Sequence, residues 1–169
     1  MRLTLILTVA LLAFAACSED ATTSLDQPPA ATASSEAGSV ALGLGPYCWK
    51  SGDVGLCADS PGIVTGTVDL AVGRGETVTI GGALAQTEFA VGDALIRPIE
   101  GEAGARGDDW RMWTPTSAAW PGEWSALELE AVDGGLRLVI ELPVGRYLVS
   151  LFLSFPQGDA LYGLILDIR

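Results

Sequence analysis

The clearest pattern in the chain lies near its C-terminal end. Tyr147, Val149, Leu151, Leu153 and Phe155 fall on one parity, and Leu148, Ser150, Phe152 and Ser154 on the other. A period of two is that of an extended strand, whose side chains alternate between faces. Pro156 to Asp159 supplies turn residues and Leu161 to Ile168 follows as a second apolar run, which predicts an antiparallel hairpin with a four-residue loop. Leu136, Leu138, Ile140 and Leu142 alternate with Arg137 and Glu141, after the tight-turn triplet Asp133-Gly134-Gly135. Upstream, Ile63 to Val72 puts Val64, Val68, Leu70 and Val72 on one side and Thr65, Thr67 and Asp69 on the other. Glu76 to Ile80 is bracketed by the turns Gly73-Arg74-Gly75 and Gly81-Gly82. Glu88 to Val91 and Ala94 to Ile99 are shorter candidates. Ser125 to Val132 alternates too, although its Ala, Leu and Glu residues also suit a helix, and strand is the preferred assignment. Seven or more short strands at regular spacing predict an antiparallel sandwich or barrel.

Two earlier segments break this pattern. Residues 18–40 contain no aromatic residue, one leucine, the pair Pro28-Pro29 and four acids without a base. Such a composition buries too little apolar surface to offset ordering, which predicts a disordered tether. At about 5–6 Å × √n, a tether of this length holds a domain about 25 Å from its attachment. Before it, Arg2 precedes an apolar run from Leu3 to Ala16 that ends in small residues. A basic start, a short apolar core and small residues mark a secretory signal peptide. The run is too short to span a ~30 Å hydrocarbon layer as a helix. The expected layout is therefore a signal segment over 1–16, a tether over 17–40 and one domain over 41–169.

The run Phe14-Ala15-Ala16-Cys17 resembles the bacterial lipobox, with phenylalanine where leucine is usual. The resemblance implies cleavage before Cys17 and a thioether-linked diacylglycerol on its sulfur. The chain would then be lipid-anchored at the cell membrane or outer membrane, facing the extracytoplasmic side. Ser18, rather than an aspartate, follows the cysteine, which allows outer-membrane sorting. The other reading is cleavage after Ala15, releasing a soluble secreted protein with an odd thiol. Three cysteines in an exported chain is an odd number that needs an account. Lipid on Cys17 leaves Cys48 and Cys57 as one pair. A disulfide there closes about ten residues and is worth roughly 2–3 kcal/mol on the loop-entropy estimate. It would persist outside the cytoplasm.

Gly145-Arg146-Tyr147 resembles the tyrosine corner of immunoglobulin-like sandwiches, in which a phenol bonds back across a loop. The resemblance implies an all-β, antiparallel immunoglobulin-like β-sandwich, although Cys48 and Cys57 lie too close together for that fold's inter-sheet bridge. Tyr47-Cys48-Trp49, Cys57-Ala58-Asp59, Gly145-x-Tyr147 and Gly158-Asp159-Ala160 together resemble a group of small exported bacterial lipoproteins. That likeness implies compartment and a β-rich domain, not an activity.

Charge and chemistry narrow the function classes. Twenty-one acids against nine bases give a formal net charge of −12, which argues against nucleic acid and against adhesion to anionic headgroups. The chain has no histidine, so Ser-His-Asp and Cys-His nucleophile systems are excluded. Two sulfurs without histidine or a second cysteine pair do not make a zinc site, and no cofactor is expected. The acidic loop Glu100 to Asp109 has calcium-type ligands but no defined calcium-loop spacing. Within it, Arg106-Gly107-Asp108 matches an adhesion tripeptide only by letter. Trp110, Trp113, Trp120 and Trp124 form the densest aromatic cluster. Two readings of it are open: a platform for a sugar or peptide, or indoles plugging one end of the core. The leading expectation is a non-enzymatic, lipid-anchored envelope protein whose partner is an envelope protein or glycan. A carbohydrate- or peptide-binding module using residues 110–124 is the second reading. A small hydrolase working through two carboxylates is the third.

Overall fold

The structure, a computed structural model, describes residues 26–114, 118–119 and 122–169. The proposed signal segment and Cys17 lie outside these residues, as does Trp120. The first strands are β1 (Ala31–Ser35), β2 (Gly38–Ala41), β3 (Gly43–Ser51), β4 (Val54–Ala58), β5 (Ile63–Gly66) and β6 (Leu70–Val72). β7 (Thr77–Gly82) leads through a 3-10 turn at Ala83–Gln86 into β8 (Ala90–Pro98). Four short pieces follow: β9 (Glu100–Gly101), β10 (Ala105–Arg106), β11 (Trp110–Trp113) and β12 (Ala118–Ala119). The chain ends with β13 (Ser125–Ala126), β14 (Glu130–Val132), β15 (Gly135–Val139), β16 (Gly145–Phe155) and β17 (Gly158–Ile168). The fold is all-β with open sheets.

The hairpin β16–β17 forms the centre of the larger sheet. Its register runs from Gly145 opposite Ile168 to Phe155 opposite Gly158. The connection is therefore the two residues Pro156-Gln157, shorter than the expected loop. β8 pairs with β16, β3 with the first half of β17, and β6 runs parallel to its last three residues. β4 and β13 form the edges. A five-stranded antiparallel sheet, ordered β14-β15-β7-β1-β2, packs against one face of this hairpin. Ala33, Val78, Ile80 and Leu136 from the smaller sheet share one buried cluster with Val149, Leu151, Leu153, Leu164 and Leu166. Alternation thus places the core where the sequence predicts it.

The other face of the hairpin is also covered. Leu148 and Ile165 are almost fully buried, in a second cluster with Ile99 and Trp113. The cover is a three-stranded sheet, β10-β11-β5. β5 crosses the outer face where glycines leave room for its backbone. A Cβ at Gly163 would lie 2.1 Å from the Val64 carbonyl oxygen, and one at Gly43 would lie 2.5 Å from the Thr65 backbone.

Four expected strands differ in extent. The single strand Ile63 to Val72 is two, broken at Thr67 to Asp69, where Val68 is exposed. The segments Glu88 to Val91 and Ala94 to Ile99 are joined in β8, with a register shift opposite Phe152 and Leu153. Ser125 to Val132 divides into β13 on the larger sheet and β14 on the smaller.

The expected boundary at residue 41 also moves. Residues 31–40, read as tether, include β1, which pairs with both β2 and β7. Ala31 and Ala33 are 3% and 0% exposed. The cause is size: alanines bury fully under the opposing sheet while adding little to any measure of hydrophobic mass. Pro28 and Pro29 are buried as well, and the Tyr162 hydroxyl donates to the Pro29 carbonyl at 2.8 Å. Burial pushes the Tyr162 phenol well above its usual pKa.

Candidate functional site

Cys48 and Cys57 face each other across β3 and β4 and form a disulfide. Nine residues apart, they close the hairpin whose turn is Gly52-Asp53. Among the described residues β3 is an inner strand and β4 an edge, so the bond secures a strand with one described neighbour. Trp49, between them in β3, points into the core and meets Phe155 edge-on at 5.2 Å.

The tryptophans of residues 110–124 are divided among different environments. Trp110 and Trp113 are three residues apart on β11 and therefore point to opposite faces. Trp113 is fully buried beneath the three-stranded cover, and its indole N–H donates to Thr65 Oγ1 at 3.1 Å. Trp110 is 38% exposed and lies over Gly107, where a Cβ would come within 2.3 Å of the indole nitrogen. That contact gives Gly107 a packing reason, apart from any adhesion tripeptide. Trp124 is half-buried, with the Arg97 guanidinium 5.3 Å from its ring centre. Arg97 also donates to the Gly122 carbonyl. Among the described residues, then, these indoles do not share a flat surface: Trp113 serves as a core plug.

One polar cluster had no place in the sequence reading. Asp69 Oδ1 accepts from Arg111 Nη2 at 2.6 Å, while Oδ2 accepts from Arg146 Nε at 3.1 Å and pairs with its Nη2 at 3.0 Å. Arg111 Nε also donates to the Gly66 carbonyl, and Arg146 Nη1 to that of Gly101. Both guanidiniums lie beside the Trp113 ring, at 5.9 and 5.5 Å from its centre. The carboxylate after β5 thus joins β11 of the outer cover to β16 of the main sheet. Its arrangement is that of a lock between layers, with both carboxylate oxygens occupied. The only sequence signal was Asp69 on the polar side of a strand pattern.

A groove of about 550 Å³ opens beside the 3-10 turn, lined chiefly by Leu84, Phe89, Val91, Leu129 and Leu136. Among the described residues Glu88 is the one charged side chain lining it. Among the described residues no group of three or more Asp, Glu, Cys or His side chains converges as metal ligands would. Nor is any described helix long and apolar enough to cross a membrane. Tyr147, expected at a tyrosine corner, donates from its hydroxyl to the Pro143 carbonyl at 3.0 Å. Compared with protein-family models, curated proteins and solved structures, the chain finds no match.

Proposed function

We propose that the protein is an extracytoplasmic lipoprotein, held at the cell membrane or outer membrane through lipid on Cys17 and displaying a non-catalytic β-domain. The observation that carries this reading is the cysteine arrangement. Cys48 and Cys57 are closed on each other, which leaves Cys17 as the remaining one of the three cysteines. Cys17 stands directly after Phe14-Ala15-Ala16, at the end of an apolar run that begins after Arg2. Two acyl chains are the least that hold a protein firmly to a bilayer, at about 0.8 kcal/mol per buried methylene. The acidic surface contributes solubility rather than adhesion. Within this reading the domain is an immunoglobulin-like sandwich, supported by two facing sheets and the Tyr147–Pro143 bond. The domain serves binding or structure at the envelope, towards an envelope protein or glycan.

The test is expression of the full chain and its C17A variant in a bacterium supplied with a labelled fatty acid. Wild type should carry label and sediment with membranes, and C17A should carry no label, remaining as unprocessed precursor or soluble protein. Labelled, membrane-bound C17A would end the proposal.

A further inference from the structure

We propose that the end of the domain bearing the β3–β4 turn rests against the headgroup boundary of the bilayer that holds the anchor, with Val54 and Leu56 as the contacting side chains. This rests on the lipid attachment at Cys17 proposed above.

The point of chain entry fixes the geometry. Asp26 Oδ1 accepts from the Ser51 hydroxyl at 2.8 Å, beside the β3–β4 turn. Pro29 is held by Tyr162, and Ala31 pairs with Gly82 at the adjoining end of the smaller sheet. The first described residues are therefore fastened to one end of the sandwich. The same end carries the Pro156-Gln157 turn, whose Gln157 carbonyl accepts from the Lys50 backbone N–H at 2.9 Å. From Cys17 to Asp26 there are nine residue steps, which span at most about 30 Å in any conformation. The expected tether through residue 40 would have allowed much more freedom. The opposite end stands a full strand away: Gly145 to Phe155 is ten steps, about 33 Å at 3.3 Å each.

Surface character suits the near end to lipid contact. Among the described residues β4 is an edge strand, and Val54 and Leu56 are 69% and 53% exposed. They share one parity of the strand, hence one face. Exposure alone does not choose this end, because Val68, Val139 and Val144 are also exposed elsewhere. The choice comes from where the chain enters. Asp26 and Asp53 flank the turn, so the contact is with zwitterionic rather than anionic lipid.

The experiment uses full-length acylated protein in phosphatidylcholine vesicles. With Cys48 and Cys57 joined and Cys17 acylated, V54C and V144C each add a single thiol for a fluorophore, at two well-exposed sites. Headgroup nitroxide lipids should quench the label at 54 several-fold more than the label at 144. Intact mass of the same preparations reports the lipid and the disulfide. Lipid on Cys17 with equal quenching, or stronger quenching at 144, overturns the orientation while leaving the anchor standing. Absence of lipid on Cys17 overturns both.

Discussion

Replacing Gly163 by alanine tests the layer that sequence alone did not reveal. The added Cβ would lie 2.1 Å from the Val64 carbonyl oxygen and 2.7 Å from the Ile63 side chain, both on β5. Neither contact can be relieved by rotating one flexible side chain, since the first is with backbone. The outer cover must move off β17, or β17 must bend. Overpacking of this kind costs about 1–3 kcal/mol. With a urea slope of about 1–3 kcal/mol per molar, a loss near 2 kcal/mol moves the unfolding midpoint by roughly 1 M. The companion substitution is Gly55→Ala, where nothing lies within 4 Å of the new Cβ. Urea unfolding of the two variants, followed by tryptophan fluorescence, should show the first shifted strongly and the second within about 0.5 kcal/mol of wild type. Displacement of the cover should also wet Trp113, moving native-state emission to the red in G163A alone. Equal midpoints for both variants would refute the crossing of β5 over the hairpin.

Other substitutions probe separate joints. Trp113→Ala should cost about 3–5 kcal/mol and Trp110→Ala about 1 kcal/mol or less, measured by the same unfolding curves. Similar costs would contradict the opposite facing of the two indoles. Asp69→Asn should cost about 1–2 kcal/mol, because the layer-joining ion pairs are only partly shielded from solvent. No change in midpoint would show that the lock carries no stability. Tyr162→Phe leaves the Pro29 carbonyl without its donor and should cost about 1–3 kcal/mol. It should also change the alkaline profile. Because burial raises the phenol pKa in the fold, its contribution is complete below the ordinary tyrosine value of about 10 and declines as pH rises above it. Unfolding curves between pH 9 and 11 should therefore fall more steeply for wild type than for Y162F. Parallel profiles would remove Tyr162 from that account.

How much of this was legible follows from which residues carry large alternating side chains. Tyr147 to Phe155 and Leu161 to Ile168 set the central hairpin because two long apolar runs either side of a turn need no tertiary information to declare paired strands. The disulfide was legible from parity of number, once Cys17 was set apart. β1 was not, since Ala31 and Ala33 bury by being small, and composition registers them as neutral. The outer cover was hidden for a related reason. Gly43 and Gly163 matter through the side chains they lack, and the parity of Leu148 does not say that β11 and β5 cover it. At the tryptophan cluster, density in sequence suggested a shared surface, whereas strand parity alone separates Trp110 from Trp113. Recognising β11 as a strand would have decided that point. The Asp69 lock joins residues 42 and 77 positions apart, and no local pattern connects them.

The proposal most in need of a direct test is lipid on Cys17 as the N-terminus of the mature protein. Its most direct measurement is intact and peptide mass spectrometry of unreduced protein extracted from envelopes. The expected result is a chain starting at Cys17, its mass raised by a diacylglyceryl group, with a peptide joining Cys48 to Cys57. A chain starting elsewhere, or a mature Cys17 with a free thiol, would contradict it.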